Sequence, residues 1–142
     1  MPSRDLNDLR LEFRILVVPW LADWRAQAAG YNTVIACTLR TFAEQQVCWN
    51  QGRTTPGAVV TYARPGQSAH QYGLAIDVYP LWQGKLVTDE SDPIWQELGN
   101  FAEARGIQWY GAPGSEFHEM PHFQHPRWRT IAAAELAGLV AA

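Results

Sequence analysis

Apolar residues recur at helical spacing over residues 6–29, at Leu6, Leu9, Phe13 and Leu16 and again at Leu21, Trp24 and Ala28. Pro19 lacks an N–H and its ring crowds the turn before it, so the run is expected as two helices, with Gly30 as the stop. Residues 33–38 read as a short buried strand. Thr41 suits the N-cap of a helix reaching Asn50, because Glu44 three residues on completes a capping box. Gly52, Pro56, Gly57, Pro65 and Gly66 make 52–67 mostly loop and turn. A second strand is expected over 74–79, closed by Pro80. Asp92 and Pro93 open another helix, which Gly106 ends. Residues 111–126 are again rich in Gly and Pro, around a cluster of His and Glu, and the alanine-rich stretch 126–140 reads as a final helix.

Helices and short strands interleave without a regular βαβ rhythm, which predicts a small α+β domain. The length of 142 residues is that of one globular domain, so 1–142 is expected to form a single unit. The 47% hydrophobic content and seven tryptophans agree with an ordinary packed core.

The net charge of −3 offers no basic field for nucleic acid. Arg127, Trp128 and Arg129 read as a solvated helix start rather than a polyanion patch. Cys37 and Cys48 are too few for a disulfide framework, and both read as small buried hydrophobes. No stretch approaches the roughly 20 apolar residues of a membrane span, so no membrane insertion is expected. The run Ile15, Leu16, Val17, Val18 meets Pro19 at once and follows Asp5, Asp8 and Glu12, unlike a secretory signal. On this reading the chain is made and kept in the cytoplasm unless something else releases it.

The chemistry is expected in two segments. In 68–77, Ser68 and His70 precede a turn at Gly73 and a strand carrying Asp77, so an imidazole and a carboxylate can converge. In 117–125, His118, His122 and His125 crowd together, with Glu119 three residues before His122. A catalytic zinc takes three protein ligands and keeps a fourth place open; His70, Asp77 and His122 could supply the three, with Glu119 as general base. His118 to His122 literally matches H-E-x-x-H, but that pattern works only on a helix, and Pro121 would break one. His118 and His125 are therefore expected at the site's edge or on the surface. On spacing alone, a metal centre and a set of ordinary polar loop residues explain these segments equally well.

The balance is tipped by a resemblance over roughly residues 30–125. Its carriers are Arg40-Thr41 with Glu44-Gln45, Gln51-Gly52-Arg53-Thr54, Ser68-x-His70 with Tyr72-Gly73-Leu74-Ala75 and Asp77, then Gly106-Ile107 with Trp109, and Glu119 with Pro121-His122-Phe123. These segments resemble the L-alanyl-D-glutamate endopeptidases of phage endolysins and the similar D-Ala-D-Ala carboxypeptidases and dipeptidases of one zinc superfamily, to which the hedgehog domain is also similar. The resemblance implies a small antiparallel sheet flanked by helices and Zn2+ held by His70, Asp77 and His122. It also implies catalytic roles for Glu119 and Arg40, with Arg40 holding a substrate carboxylate or the developing oxyanion, and substrate contacts from Ser68 and Trp109. Trp109 and Tyr110 would wall the groove, although packing is the more ordinary duty of Trp109. Many endolysin members look to carry Asp where Glu119 stands. The implied partner is bacterial peptidoglycan, met by a monomer released through a holin lesion. Two rival readings keep the fold: a D-alanyl-D-alanine carboxypeptidase or dipeptidase, and a non-catalytic zinc-stabilised wall-binding module.

Overall fold

A computed structural model describes residues 1–115 and 117–141, without the side chains of 139–141. Helix α1 (Leu11–Ala26) follows a short 3-10 turn (Leu6–Asp8) and runs unbroken through Pro19. The expected split fails for a physical reason. Pro19 lies on the exposed face, and Ile15, four residues back, is exposed too, so water can take the carbonyl that loses its bond. Against the roughly 3 kcal/mol that an interior proline costs stand five buried side chains, Phe13, Val17, Trp20, Leu21 and Trp24, each contributing on the order of 1.5–3 kcal/mol. The helix therefore persists.

Strand β1 (Tyr31–Cys37) begins beyond Gly30, whose φ of 101° suits glycine. It is only partly buried, because it forms one edge of the sheet. Helix α2 (Phe42–Asn50) starts as expected, with Thr41 and Glu44 forming the reciprocal capping box. Strand β2 (Ala75–Trp82) is longer than its sequence pattern, continuing through Pro80, whose carbonyl accepts from Val87 N at 3.0 Å. Gln83 and Gly84, both with positive φ (50° and 78°), turn β2 back into β3 (Lys85–Leu86), a hairpin that the periodicity does not announce. Helix α3 (Pro93–Glu103) is capped by Asp92 as expected. Two very short strands, β4 (Gln108–Trp109) and β5 (His122–Gln124), and helix α4 (Trp128–Ala141) complete the fold.

The sheet is antiparallel in the order β1-β2-β5-β4, with β3 paired to the end of β2. On one face, Ile76 and its cross-strand partner Phe123 meet the tryptophans of α1, with the Trp20 and Phe123 rings 4.6 Å apart. Each indole finds an acceptor there: Trp20 donates to Leu98 O at 3.3 Å and Trp24 to Asn32 O at 3.1 Å. The opposite face carries polar side chains and is bounded by α2, the 3-10 turn Ala69–Tyr72 and α4, whose Trp128 stacks on Tyr72 at 5.8 Å.

Candidate metal centre and groove

The register of the sheet builds the centre. β2 and β5 pair so that Asp77 lies opposite His122, and β1 and β2 pair so that Cys37 lies opposite Asp77. Directly opposed residues share a face, so Cys37, Asp77 and His122 form one row across three strands. His70 arrives from outside the sheet. Ser68 caps the 3-10 turn by accepting from His70 N at 3.3 Å, and Gly73 ends it in a left-handed conformation (φ 68°), folding the turn over Asp77.

The three side chains converge on one oxygen. Asp77 Oδ1 lies 3.1 Å from His70 Nε2 and 3.4 Å from His122 Nδ1. The far nitrogens are committed: His70 Nδ1 meets Thr38 O at 2.8 Å and His122 Nε2 meets Gln124 Oε1 at 2.9 Å. A carbonyl oxygen can only accept, so each far nitrogen carries the hydrogen and each near nitrogen presents a lone pair. In that tautomer two lone pairs and a carboxylate oxygen lie close together, an arrangement that either a proton on a near nitrogen or a bound cation makes favourable. Tetrahedral zinc with bonds of about 2.0–2.1 Å sets ligand atoms about 3.3 Å apart, which matches the two observed separations. Two imidazoles and a carboxylate are a donor set of the kind zinc takes.

When the near nitrogens are protonated they donate instead: burial alone would raise the Asp77 carboxyl, but the His70 charge and hydrogen bonds from both rings hold it well below the usual carboxylate range. Burial pushes His122 down, yet the Asp77 hydrogen bond and charge, with Gln124, hold it above the ordinary imidazole value. Cys37, His70 and Asp77 also offer three donor atoms within 4.8 Å of one another. Cys37 Sγ, however, touches His70 at Nδ1 (3.7 Å), the nitrogen already given to Thr38. Burial also raises its thiol to about 11 despite the nearby Arg40, so it stands as a neutral neighbour rather than a ligand. His122 is the better third donor.

Around this centre Arg40 directs one guanidinium nitrogen to Asp77 Oδ2 at 3.7 Å and another to Gln45 Oε1 at 3.0 Å. Glu119 leaves its side chain half in solvent with Oε2 3.7 Å from His122 Nδ1. All of these side chains except Gln45 line an open groove of about 720 Å³. One wall is the loop 60–68 and the other is α4, with Tyr110 and Phe117 closing an end.

The structure thus brings together His70, Asp77, His122, Glu119 and Arg40, and sets Ser68 in the groove wall with its hydroxyl used as a cap. It does not do so for Trp109. That side chain is buried, stacks on Phe123 (interplanar angle 12°) and donates to Met120 O at 2.7 Å. The neighbouring Tyr110 faces the groove instead, its ring 4.6 Å from that of His122. His118 and Glu119 lie outside any helix, as Pro121 requires, and His118 is exposed. His125 accepts from Arg127 N at the start of α4. Cys48 is half-buried in the groove wall rather than in the core, and both cysteines are free.

Thr38 and Gln124 escaped the sequence reading, and Gln45 entered it only as a carrier of the resemblance, without its supporting role. Gln124 lies two residues after His122 on β5 and would follow from strand alternation once 122–124 is read as a strand. Gln45 is fully buried and joins Arg40, Thr61, Ala63 and Gln71. A buried glutamine beside a capping glutamate leaves no periodic mark.

Comparison with known proteins agrees with this geometry. The matching family model, described as VanY: D-alanyl-D-alanine carboxypeptidase, spans residues 22–125. The peptidoglycan L-alanyl-D-glutamate endopeptidase CwlK of Bacillus subtilis is 37% identical over 105 residues, covering 67% of this chain and 61% of CwlK, so the chain spans about three fifths of that relative. Among solved structures, the Serratia marcescens L-Ala D-Glu endopeptidase ChiX superposes with a TM-score of 0.63 at 15% identity, covering 92% of both chains. VanYB in complex with D-alanine-D-alanine gives 0.62 at 18% identity, over 92% of this chain and 78% of VanYB. A VanY D,D-pentapeptidase variant from a VanB-type cassette, in complex with Zn(II), gives 0.56 at 17% identity, over 88% of this chain and 76% of its own. At these identities the structural matches speak for the fold, while the family match covers most of the chain and includes Arg40 and all four of His70, Asp77, Glu119 and His122. The chain belongs to the VanY family of D-alanyl-D-alanine carboxypeptidase-like peptidases.

Proposed function

We propose that this protein is a zinc-dependent peptidoglycan endopeptidase that hydrolyses the L-alanyl-D-glutamate bond of wall stem peptides. The observation that carries the reading is the convergence of two imidazole lone pairs on Asp77 Oδ1, with Glu119 3.7 Å from His122 at the floor of an open groove. The likeness to CwlK supports this scissile bond over the D-alanyl-D-alanine bond in the family's description.

His70, Asp77 and His122 hold the metal. Bound zinc supplies Lewis-acid polarisation of the scissile carbonyl and acidifies water at the site. Glu119, half in solvent and within reach of that position, takes the proton of the attacking water and hands it to the leaving amine, a role worth about 10²–10⁴-fold in rate. Arg40, fixed by Gln45 and facing Asp77, puts a permanent positive charge beside the carbonyl oxygen as it becomes an oxyanion. Ser68 holds the His70 turn in place, and its position in the wall lets the hydroxyl donate to a bound peptide.

Zinc content and lysis of purified peptidoglycan, measured side by side for wild type, His122→Ala and Glu119→Ala, test this. Wild type should bind one zinc and lyse, His122→Ala should lose both, and Glu119→Ala should lose only lysis. Products carrying a new D-glutamate amino terminus identify the endopeptidase. Release of D-alanine alone assigns the carboxypeptidase reading, and a zinc protein that cuts nothing is a binding module. As the biological setting we adopt phage-type lysis, with a cytoplasmic monomer let out by a holin; lysis of producing cells without a co-expressed holin refutes it.

A further inference from the structure

Helix α4 lies past residue 125, where the family match ends, yet it forms a wall of the groove. Its contributing residues beyond Trp128 are Arg129, Ala132, Ala133 and Leu136, the 3- and 4-residue spacing of a single helix face. The two alanines keep that face low, so the groove stays open between Arg129 and Leu136. Arg129 is exposed and rests over the Trp128 ring at 4.7 Å. Among the described residues it has no ion-pair partner, whereas Arg40, the groove's other cation, is engaged with Asp77 and Gln45. Trp128, buried in the same wall, carries an indole N–H with no acceptor among the described residues. Among the described residues the groove's other charged side chains are Asp77 and Glu119, both given to the proposed centre. A stacked, solvated guanidinium is well suited to take a carboxylate.

We propose that Arg129 is a specificity residue that pairs with a free carboxylate of the stem peptide, making α4 the element by which this chain selects acidic stems. The proposal rests on the peptidase reading above. A peptide containing an L-alanyl-D-glutamate bond offers two such groups, the glutamyl carboxylate outside the chain and the terminal carboxylate.

Three synthetic stems decide it: both carboxylates free, the glutamyl one amidated, or the terminal one amidated. With zinc-loaded wild type, amidating the paired carboxylate should raise KM roughly tenfold at nearly constant kcat. Arg129→Gln should raise KM for the free peptide by the same factor and become indifferent to that amide, and Arg129→Lys should recover part of the loss. Whichever amide produces the effect names the carboxylate. Equal discrimination by wild type and Arg129→Gln overturns the proposal while leaving the peptidase reading intact. If no stem is cut, the peptidase reading falls, and calorimetric binding of the same peptides still decides the role of Arg129. Loss of carboxylate preference in Arg129→Gln upholds it, and no preference in either protein overturns it.

Discussion

Replacing Gln124 with leucine should weaken zinc binding while leaving the fold in place. If His122 Nδ1 is a metal ligand, as proposed, its only hydrogen sits on Nε2 and must be given to Gln124 Oε1, 2.9 Å away. Leucine removes that acceptor and leaves a buried N–H unsatisfied, a penalty of about 1–3 kcal/mol. The metal-free protein escapes the penalty, because the hydrogen can move to Nδ1 and face Asp77 Oδ1 at 3.4 Å. The difference therefore falls on the metal equilibrium, a loss of roughly 5- to 150-fold in zinc affinity. Leucine nearly matches glutamine in volume, and the ladder partners of residue 124, Ala75 and Gln108, pair through the backbone. Competition with a chromophoric chelator at pH 7.5 reads the affinity, and calorimetry of the metal-free protein reads the fold. Gln108→Ala is the control. It removes only the outer link of 3.0 Å to the Gln124 amide from an exposed side chain, and should cost less than about threefold. A Gln124→Leu affinity within twofold of wild type would refute the tautomer argument.

Two further outcomes follow from the same geometry. His122 is held above its ordinary pKa, so a proton competes for the ligand nitrogen, and zinc affinity should fall with acidification starting above about pH 6.5. In the metal-free protein the sign reverses. The His122 contribution to stability is full below about pH 6.5 and lost as pH rises through its folded value, while that of Asp77 is present above about pH 3.9 and lost in acid. Melting curves of metal-free and zinc-loaded protein between pH 5 and 8 should therefore slope in opposite directions from this pair, and parallel slopes would contradict it. In α3, a Cβ at Gly99 would overlap the six-membered ring of Trp109, so Gly99→Ala should destabilise by about 1–3 kcal/mol or more, read as a drop in Tm. An unchanged Tm would mean that Trp109 is not held as described.

The residues that announce themselves in the sequence are those whose chemistry is local. Thr41 with Glu44 and Asp92 with Pro93 cap their helices through side chains three residues away or fewer, so both starts are legible. The candidate set His70, Asp77, His122 and Glu119 stays open on spacing alone, and it is the resemblance of these short segments to a known zinc superfamily that singles it out. What sequence spacing does not show is non-local. β4 and β5 have two and three residues, too few for any period, and they exist because β2 and Phe123 hold them. Their brevity hides Gln124. Trp109 reads from sequence as either packing or a groove aromatic, and Gly99 and Gly111, which make room for it in the core, decide for packing. Pro19 reads as a break because its cost is local, while the burial that outweighs it is tertiary.

The β1–β2 register slips once, with Ile35 opposite Val78 but Cys37 opposite Asp77, whereas β2 and β5 face each other without a slip from Ala75 to Asp77. The two sides of Asp77 therefore differ in their tolerance of length change. A residue gained or lost in β1 can be taken up where one is already in excess. The same change between Ala75 and Asp77 would turn the carboxylate to the tryptophan side and erase the centre. The loop 60–68 and helix α4, which shape the groove, share no ladder with that stretch. Lengthening or exchanging them can change what the groove holds while the Asp77 row stays constant, so on the proposed reading selectivity and hydrolysis can vary separately.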